Sequence, residues 1–303
     1  MANLPPSSSA FSKASSSNDP KLSAVEQLVL DICDPELREN ALQELSKMRE
    51  IFDDLAPLLW NSPATATALL QEILSVYHLL SPPTMTVAQS NKVCNALALY
   101  QVCKLFQNTA NLPVYLYAFL STSSTSRPFE YLRLTTLGVI GALVKVDDTE
   151  VVKFLLETEV VPLCLRVMEI GSELSKTVAT FIVHKILVDD KGLDYMCVSA
   201  ARFFALCQVL GNMVTSPAEG PSPRLLKHII RCYLRLTDNS RACHALKTSL
   251  PELLGDTTFL SCLNDDPAAS VWLKQLHHNI KVGGVGVNPP LGLENLLKAK
   301  SGL

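Results

Sequence analysis

The sequence predicts an all-α chain built as a solenoid of stacked helices, and three observations carry that expectation. The 303 residues are 48% hydrophobic but only 6% aromatic, with 12 glycines, so the chain is short of the turn residues that a many-stranded sheet needs. From Leu22 to about Ile280 apolar residues recur at three and four positions, the period of a helix with one buried face. The helical stretches follow one another with brief polar or proline breaks, and none is an evident bundle partner of a distant one, which favours helices stacked on their neighbours.

Taken in order, residues 1–20 are rich in serine and proline and lack a basic region followed by an apolar core, so they read as a disordered tail and not a signal peptide. The helical domain is expected over 21–281. In 36–50, Leu37, Ala41, Leu45 and Met48 mark one face and Arg38, Glu39, Gln43, Glu44 and Lys47 the rest, after a start signed by Asp34-Pro35. The same start recurs at Ser62-Pro63, Ser222-Pro223 and Asp266-Pro267. Further helices are predicted over 65–80, 87–106, 129–145, 149–157, 162–170, 173–188 and 200–214, about a dozen in all. The run 137–144 is apolar nearly all round, and its Gly138 and Gly141 would let neighbours approach closely. The weakly charged stretch 197–214 is interrupted by Arg202, Gln208 and Asn212 and reads as a buried helix, not a membrane span. Residues 282–303, with Gly283-Gly284 and Pro289-Pro290, read as a second tail.

Twenty-six Lys and Arg against 29 Asp and Glu leave a net charge of −3, so nothing global drives the chain to nucleic acid or membrane. Nine cysteines form no CxxC pair and are odd in number, which argues for free thiols in a reducing compartment. No HExxH, GxSxG, Walker A or paired metal-ligand spacing occurs, and Gly284-x-Gly286 follows no strand, so no catalytic residue, cofactor or metal is expected. The six histidines are scattered and read as core or surface groups.

The strongest local signal follows Ser222-Pro223. Leu225, Leu226, Ile229, Ile230 and Tyr233 supply an apolar side, while Arg224, Lys227, His228, Arg231 and Arg235 fall three or four apart as a second stripe. Six basic residues against one acid give residues 222–248 a charge of +5 and leave −8 for the rest. Two readings stay open: a groove attracting phosphates or acidic peptides, and a solvated face pairing with neighbouring acids. The stripe holds no interleaved aromatics on which bases would stack, so a weak, sequence-blind RNA affinity is the most it predicts. Trp60, one of two tryptophans, sits at a helix junction where both core and interface roles are open.

An Asn-Ala-Leu step at Asn40-Ala41-Leu42 and Asn95-Ala96-Leu97 is common in armadillo-type repeats. Longer strings are more specific: Arg38-Glu39-Asn40-Ala41-Leu42, Leu69-Leu70-Gln71-Glu72-Ile73, Arg127-Pro128-Phe129-Glu130-Tyr131, LGVIGALVK from Leu137, GSELSKTVATFIV from Gly171 and RLLKHIIRCYLRL from Arg224. Over about 25–280 these closely resemble the Rcd, or "required for cell differentiation", family, the armadillo-repeat subunit of the Ccr-Not mRNA deadenylase complex. The resemblance implies an armadillo-repeat-like right-handed α-solenoid. It further implies a non-catalytic adaptor that docks on the Not scaffold subunit and recruits regulators carrying short linear motifs, for mRNA decay and translational repression. Scaffold docking would map to Trp60, Asn61, Pro63 and Thr67, where Asn61 and Pro63 replace the family's usual His and Phe. Motif binding would map to Tyr131 and Val178. A tryptophan pocket would map to Arg202 and Arg241, with Ala200 in place of Tyr. The family's nucleic-acid groove coincides with Arg224, Lys227, Arg231 and Arg235. The resemblance also implies self-association into a homodimer, no membrane partner, and residence in cytoplasmic P-bodies and the nucleus. A shortened stretch between Cys103 and Pro113, and His184 where the family favours Gln, are the marks of a divergent paralogue.

Overall fold

A computed structural model describes residues 20–52, 54–102, 112–215, 220–255, 259 and 266–283. Among these are fifteen α-helices and no strand. They are α1 (Pro20–Asp31), α2 (Arg38–Met48), α3 (Leu55–Trp60), α4 (Pro63–Leu74), α5 (Val87–Val102), α6 (Leu112–Ser121), α7 (Arg127–Val144) and α8 (Thr149–Glu157). There follow α9 (Val160–Ile170), α10 (Glu173–Val188), α11 (Asp190–Val198), α12 (Ala200–Thr215), α13 (Pro223–Leu236), α14 (Ser240–Ser249) and α15 (Pro267–Val282). The predicted tails lie outside the described residues, apart from Pro20, which opens α1, and Val282, which closes α15 before Gly283; so does the shortened stretch between Cys103 and Pro113, apart from Leu112, which opens α6.

Three of the four proline starts hold as caps. The Ser62 hydroxyl accepts from the Thr65 amide, Ser222 from Leu225 and Asp266 from Ala269, and each following proline fills a first-turn position whose N–H has no intrahelical partner. Asp34-Pro35 differs. The Asp34 carboxylate accepts from the Glu36 amide and its carbonyl from Leu37 and Arg38, so the proline closes a turn and α2 begins only at Arg38. The stretch predicted as one helix over 65–80 ends at Leu74 and is followed by a 3₁₀ turn, Tyr77–Leu79. Helices α3, α6, α11 and α14 are too short or too mixed in pattern to stand out by periodicity.

Helices α5, α7, α10, α13 and α15 stack side by side as one ladder, with α2 extending it at the N-terminal end. Near their N-termini, the Ser90 hydroxyl donates to the Pro128 carbonyl (2.7 Å) and the Glu130 carboxylate accepts from the Ser172 amide (2.9 Å) and Ser175 hydroxyl (2.6 Å). The Glu173 carboxylate accepts from the Ser222 amide (3.0 Å), and Lys227 donates to Asp266 (2.7 Å). At the opposite ends Lys185 bonds Asp147, Arg235 donates to the carbonyls of Leu187 and Val188, and the Asn279 amide donates to the Thr237 hydroxyl. Neighbours joined N-end to N-end and C-end to C-end run parallel. Behind the ladder, α6, α9 and α12 stack on one another, and α8 stacks on α11.

The core runs unbroken along this stack, from Val25 and Ile32 to Leu273 and Leu276. Gly138 faces Gln101 of α5, and Gly141 faces Val178 and Phe181 of α10, as expected of small residues between close helices. Gly192 has the stricter role: a Cβ there would lie 1.9 Å from the Ile186 carbonyl oxygen. The stretch 197–214 is not one helix, since α11 and α12 turn by 101° across Ser199. No single described helix is long and apolar enough to cross a membrane.

Candidate functional site

The ladder helices carry Tyr131, Val178 and the four basic residues of the stripe. Tyr131, in the second turn of α7, is 44% exposed despite its size. With Val87 and Asn91 of α5 and Arg127 and Leu134 of α7 it lines a cleft of about 560 Å³. Val178 is half-buried in the second turn of α10, and Phe181 lies one turn on. Leu174, before them on α10, is 50% exposed. The face therefore offers apolar side chains from two adjacent helices, and Gly141 lets Val178 and Phe181 of α10 pack close against α7.

The basic stripe on α13 is less free than its sequence suggests. Arg235 donates to the last carbonyls of α10 and pairs with Asp190 and Asp238. Burial works to lower its pKa, but these carboxylates outweigh that and raise it. Lys227 pairs with Asp266 (2.7 Å), and its hydrogen bond outweighs burial and holds that carboxyl below the ordinary range. Both acids that neutralise the stripe across the stack, Asp190 and Asp266, lie outside the 222–248 window. Arg224 is exposed and has no partner among the described residues. Arg231 is half-buried, with its guanidinium 4.8 Å from the centre of the Trp272 ring. Lys227 Nζ stands 5.3 Å from the same ring.

Two histidines complete this region. His184 on α10 is buried and His228 on α13 is half-buried, with ring centres 6.3 Å apart. The Phe181 ring meets His228 edge-on at 5.6 Å. Burial, and then the Arg231 charge, push His184 down to about 2 and His228 to about 4, so both rings are neutral at pH 7. Their Nδ1 atoms are buried without a partner.

The remaining candidates are dispersed. Trp60 ends α3 and Pro63 opens α4, while Asn61 and Thr67 are exposed. Thr67 lines a cleft of about 380 Å³ with Cys33, Arg38, Ala64, Ala68 and Gln71. Arg202 lies 3.8 Å over the Tyr195 ring and donates to the Tyr195 carbonyl. Ala200 is exposed at the start of α12, and the exposed Arg241 side chain on α14 has no partner among the described residues. Phe204, 51% exposed, and Val198, 72% exposed, add apolar surface nearby that the sequence pattern did not mark. Among the described residues no three metal-ligating side chains converge. The described cysteines are buried except Cys33, and burial pushes the Cys94 thiol up to about 11 and Cys164 to about 12.

Comparison with known proteins assigns the family. The family described as cell differentiation, Rcd1-like, matches residues 28–280. The chain belongs to the Rcd1-like cell differentiation family. Relatives include the cell differentiation protein rcd1 of Schizosaccharomyces pombe, 57% identical over 249 residues, covering 80% of this chain and 88% of that protein. Protein CAF40 of Saccharomyces cerevisiae is 52% identical over 246 residues, covering 79% of this chain and 66% of its own length. This Rcd1-like chain also shares its fold with designed armadillo repeat proteins. One superposes with a TM-score of 0.60 at 15% identity, covering 84% of this chain and 99% of the other. Another, solved with the peptide (KR)4, gives 0.57 at 14% identity over 84% of this chain and 99% of its own. The solenoid is thus of armadillo type.

Proposed function

We propose that this Rcd1-like chain is a non-catalytic adaptor of the Ccr-Not mRNA deadenylase complex, docking on the Not scaffold subunit and recruiting regulatory proteins through the ladder face. One observation carries the reading: Tyr131 and Val178 stand partly exposed on neighbouring parallel helices, with Leu174 and Phe181 beside them. Such a strip suits the apolar side of a short amphipathic helix. The exposed Asn61 and Thr67 on the α3–α4 junction supply the scaffold contact on this reading. On it the chain works in cytoplasmic P-bodies and the nucleus.

Substituting Val178→Glu tests the reading. A charge facing an apolar partner should cost several kcal/mol, so pull-down of regulator peptides should be lost while the melting curve stays unchanged. Retained binding would refute the assignment. For the scaffold, capture of the helical Not segment, with Asn61→His/Pro63→Phe for comparison, separates a docked subunit from a paralogue working alone. A sequence-blind RNA affinity rests on Arg224 and Arg231, since acids hold Lys227 and Arg235. Filter binding should therefore show at most weak retention at low salt.

A further inference from the structure

Arg231 is a cation of the ladder face with no counter-charge among the described residues. It is half-buried on α13, and burial lowers its pKa. No carboxylate or carbonyl among the described residues accepts from its guanidinium, whereas Lys227 and Arg235 on the same stripe both have carboxylate partners. The groups nearest it are no counter-charges: His184 and His228 are neutral at pH 7, and Trp272 offers only its ring face. A partly desolvated cation without an acceptor is unfavourable, and stacking on indole offsets only part of that. The stacking does fix the plane of the guanidinium, and it leaves five N–H donors unbonded.

The position of this group gives it a use. His228, one turn before Arg231, touches Phe181, which follows Val178 by one turn on α10. The unmatched guanidinium therefore borders the apolar strip. We propose that Arg231 is the anion anchor of the ladder face, taking the carboxylate of a Glu or Asp on a docked partner helix whose apolar side lies on Val178 and Phe181. This rests on the peptide-docking reading given above. A carboxylate fits better than a nucleic-acid backbone. Phosphate binding gains strength from a row of free cations, but here Asp266 and Asp190 occupy the flanking ones. One fixed planar guanidinium matches one carboxylate through two parallel hydrogen bonds.

The test uses the full chain with Trp60→Phe, so that Trp272 is the sole tryptophan and reports on its own surroundings. The probes are labelled amphipathic helical peptides of about 18 residues that share one leucine stripe and carry Glu, Gln or Lys at successive flank positions. At one position Glu should bind about tenfold more tightly than Gln, with a change in Trp272 emission. Arg231→Gln should erase that advantage while binding the Gln peptide as before, and Arg231→Lys should keep part of it. Melting curves of both variants establish that the fold is intact. If no position favours Glu, or the advantage survives in Arg231→Gln, the anchor is refuted; loss of binding in Val178→Glu would then show that the docking face itself stands. If no peptide binds the unsubstituted chain, both readings fall. If a 20-nucleotide oligouridylate binds through Arg231 and the Glu peptides do not displace it, the guanidinium serves phosphate and the proposal is overturned.

Discussion

Replacing Glu130 by Gln removes one negative charge at the point where α7 caps the start of α10. The Glu130 carboxylate accepts from the Ser172 amide and the Ser175 hydroxyl and pairs with Arg133. Arg133 is fully buried, its Nε has no partner, and its other donors reach the carbonyls of Thr122 and Ser124. An amide in place of the carboxylate leaves a buried guanidinium without a counter-charge, a change worth about 3–5 kcal/mol. The retained amide oxygen and the two carbonyls place the expected loss near the lower end, about 3 kcal/mol. Urea unfolding at pH 7 measures it, and hydrogen exchange should show the first turn of α10 opening more readily in the variant. A loss below about 1 kcal/mol would refute the reasoning, because Arg133 would then be satisfied without Glu130. An acid titration supplies a second check. Burial works to raise the Glu130 carboxyl, but the bonds from Ser172 and Ser175 and the Arg133 charge outweigh it and hold it low. Its contribution is thus present above the ordinary carboxyl range and lost as pH falls through it, so the two proteins should converge in acid.

Other perturbations give equally definite outcomes. His184 and His228 are pushed down to about 2 and about 4, so the unfolded chain binds their protons first as pH falls below about 6.5. Urea stability should therefore drop by about 2–3 kcal/mol between pH 7.5 and 5.5, with His184→Gln removing roughly half of the slope. Gly192→Ala drives a Cβ onto the Ile186 carbonyl and should cost about 3 kcal/mol or more, read as a lowered urea midpoint. Arg235→Ala unties the C-terminal ends of α10 and α13 and should cost about 2 kcal/mol while leaving RNA retention on filters unchanged.

Much of the architecture was legible because its signals are local. The caps at Ser62, Ser222 and Asp266 and the boundaries of 149–157 and 173–188 follow from residues within one turn of each helix end. The site was less legible because its decisive contacts join residues about 40 apart. Nothing within 222–248 shows that Asp266 takes Lys227, that Asp190 takes Arg235, or that Trp272 covers Arg231. The aromatic that the stripe lacked in sequence comes from the next ladder helix. A signal for it does exist once helix starts are aligned: Tyr131 is four residues past Arg127, Val178 five past Glu173, His228 five past Pro223 and Trp272 five past Pro267. Reading across repeats at about the same distance from each start collects one residue of this face from each of four ladder helices. Reading along the chain does not.

The cross-links at both ends of the ladder have an electrostatic consequence. Parallel helices set side by side align their peptide dipoles, so the amide ends share one rim and the carbonyl ends the other. Glu130, Glu173 and Asp266 stand along the first rim, and Lys185 and Arg235 along the second. These side chains damp the mutual repulsion of the aligned dipoles without cancelling it. A field therefore runs across the ladder from rim to rim, and a segment lying on it meets two unlike sides. A partner with charge at one end has a preferred heading on this surface before any side chain is matched.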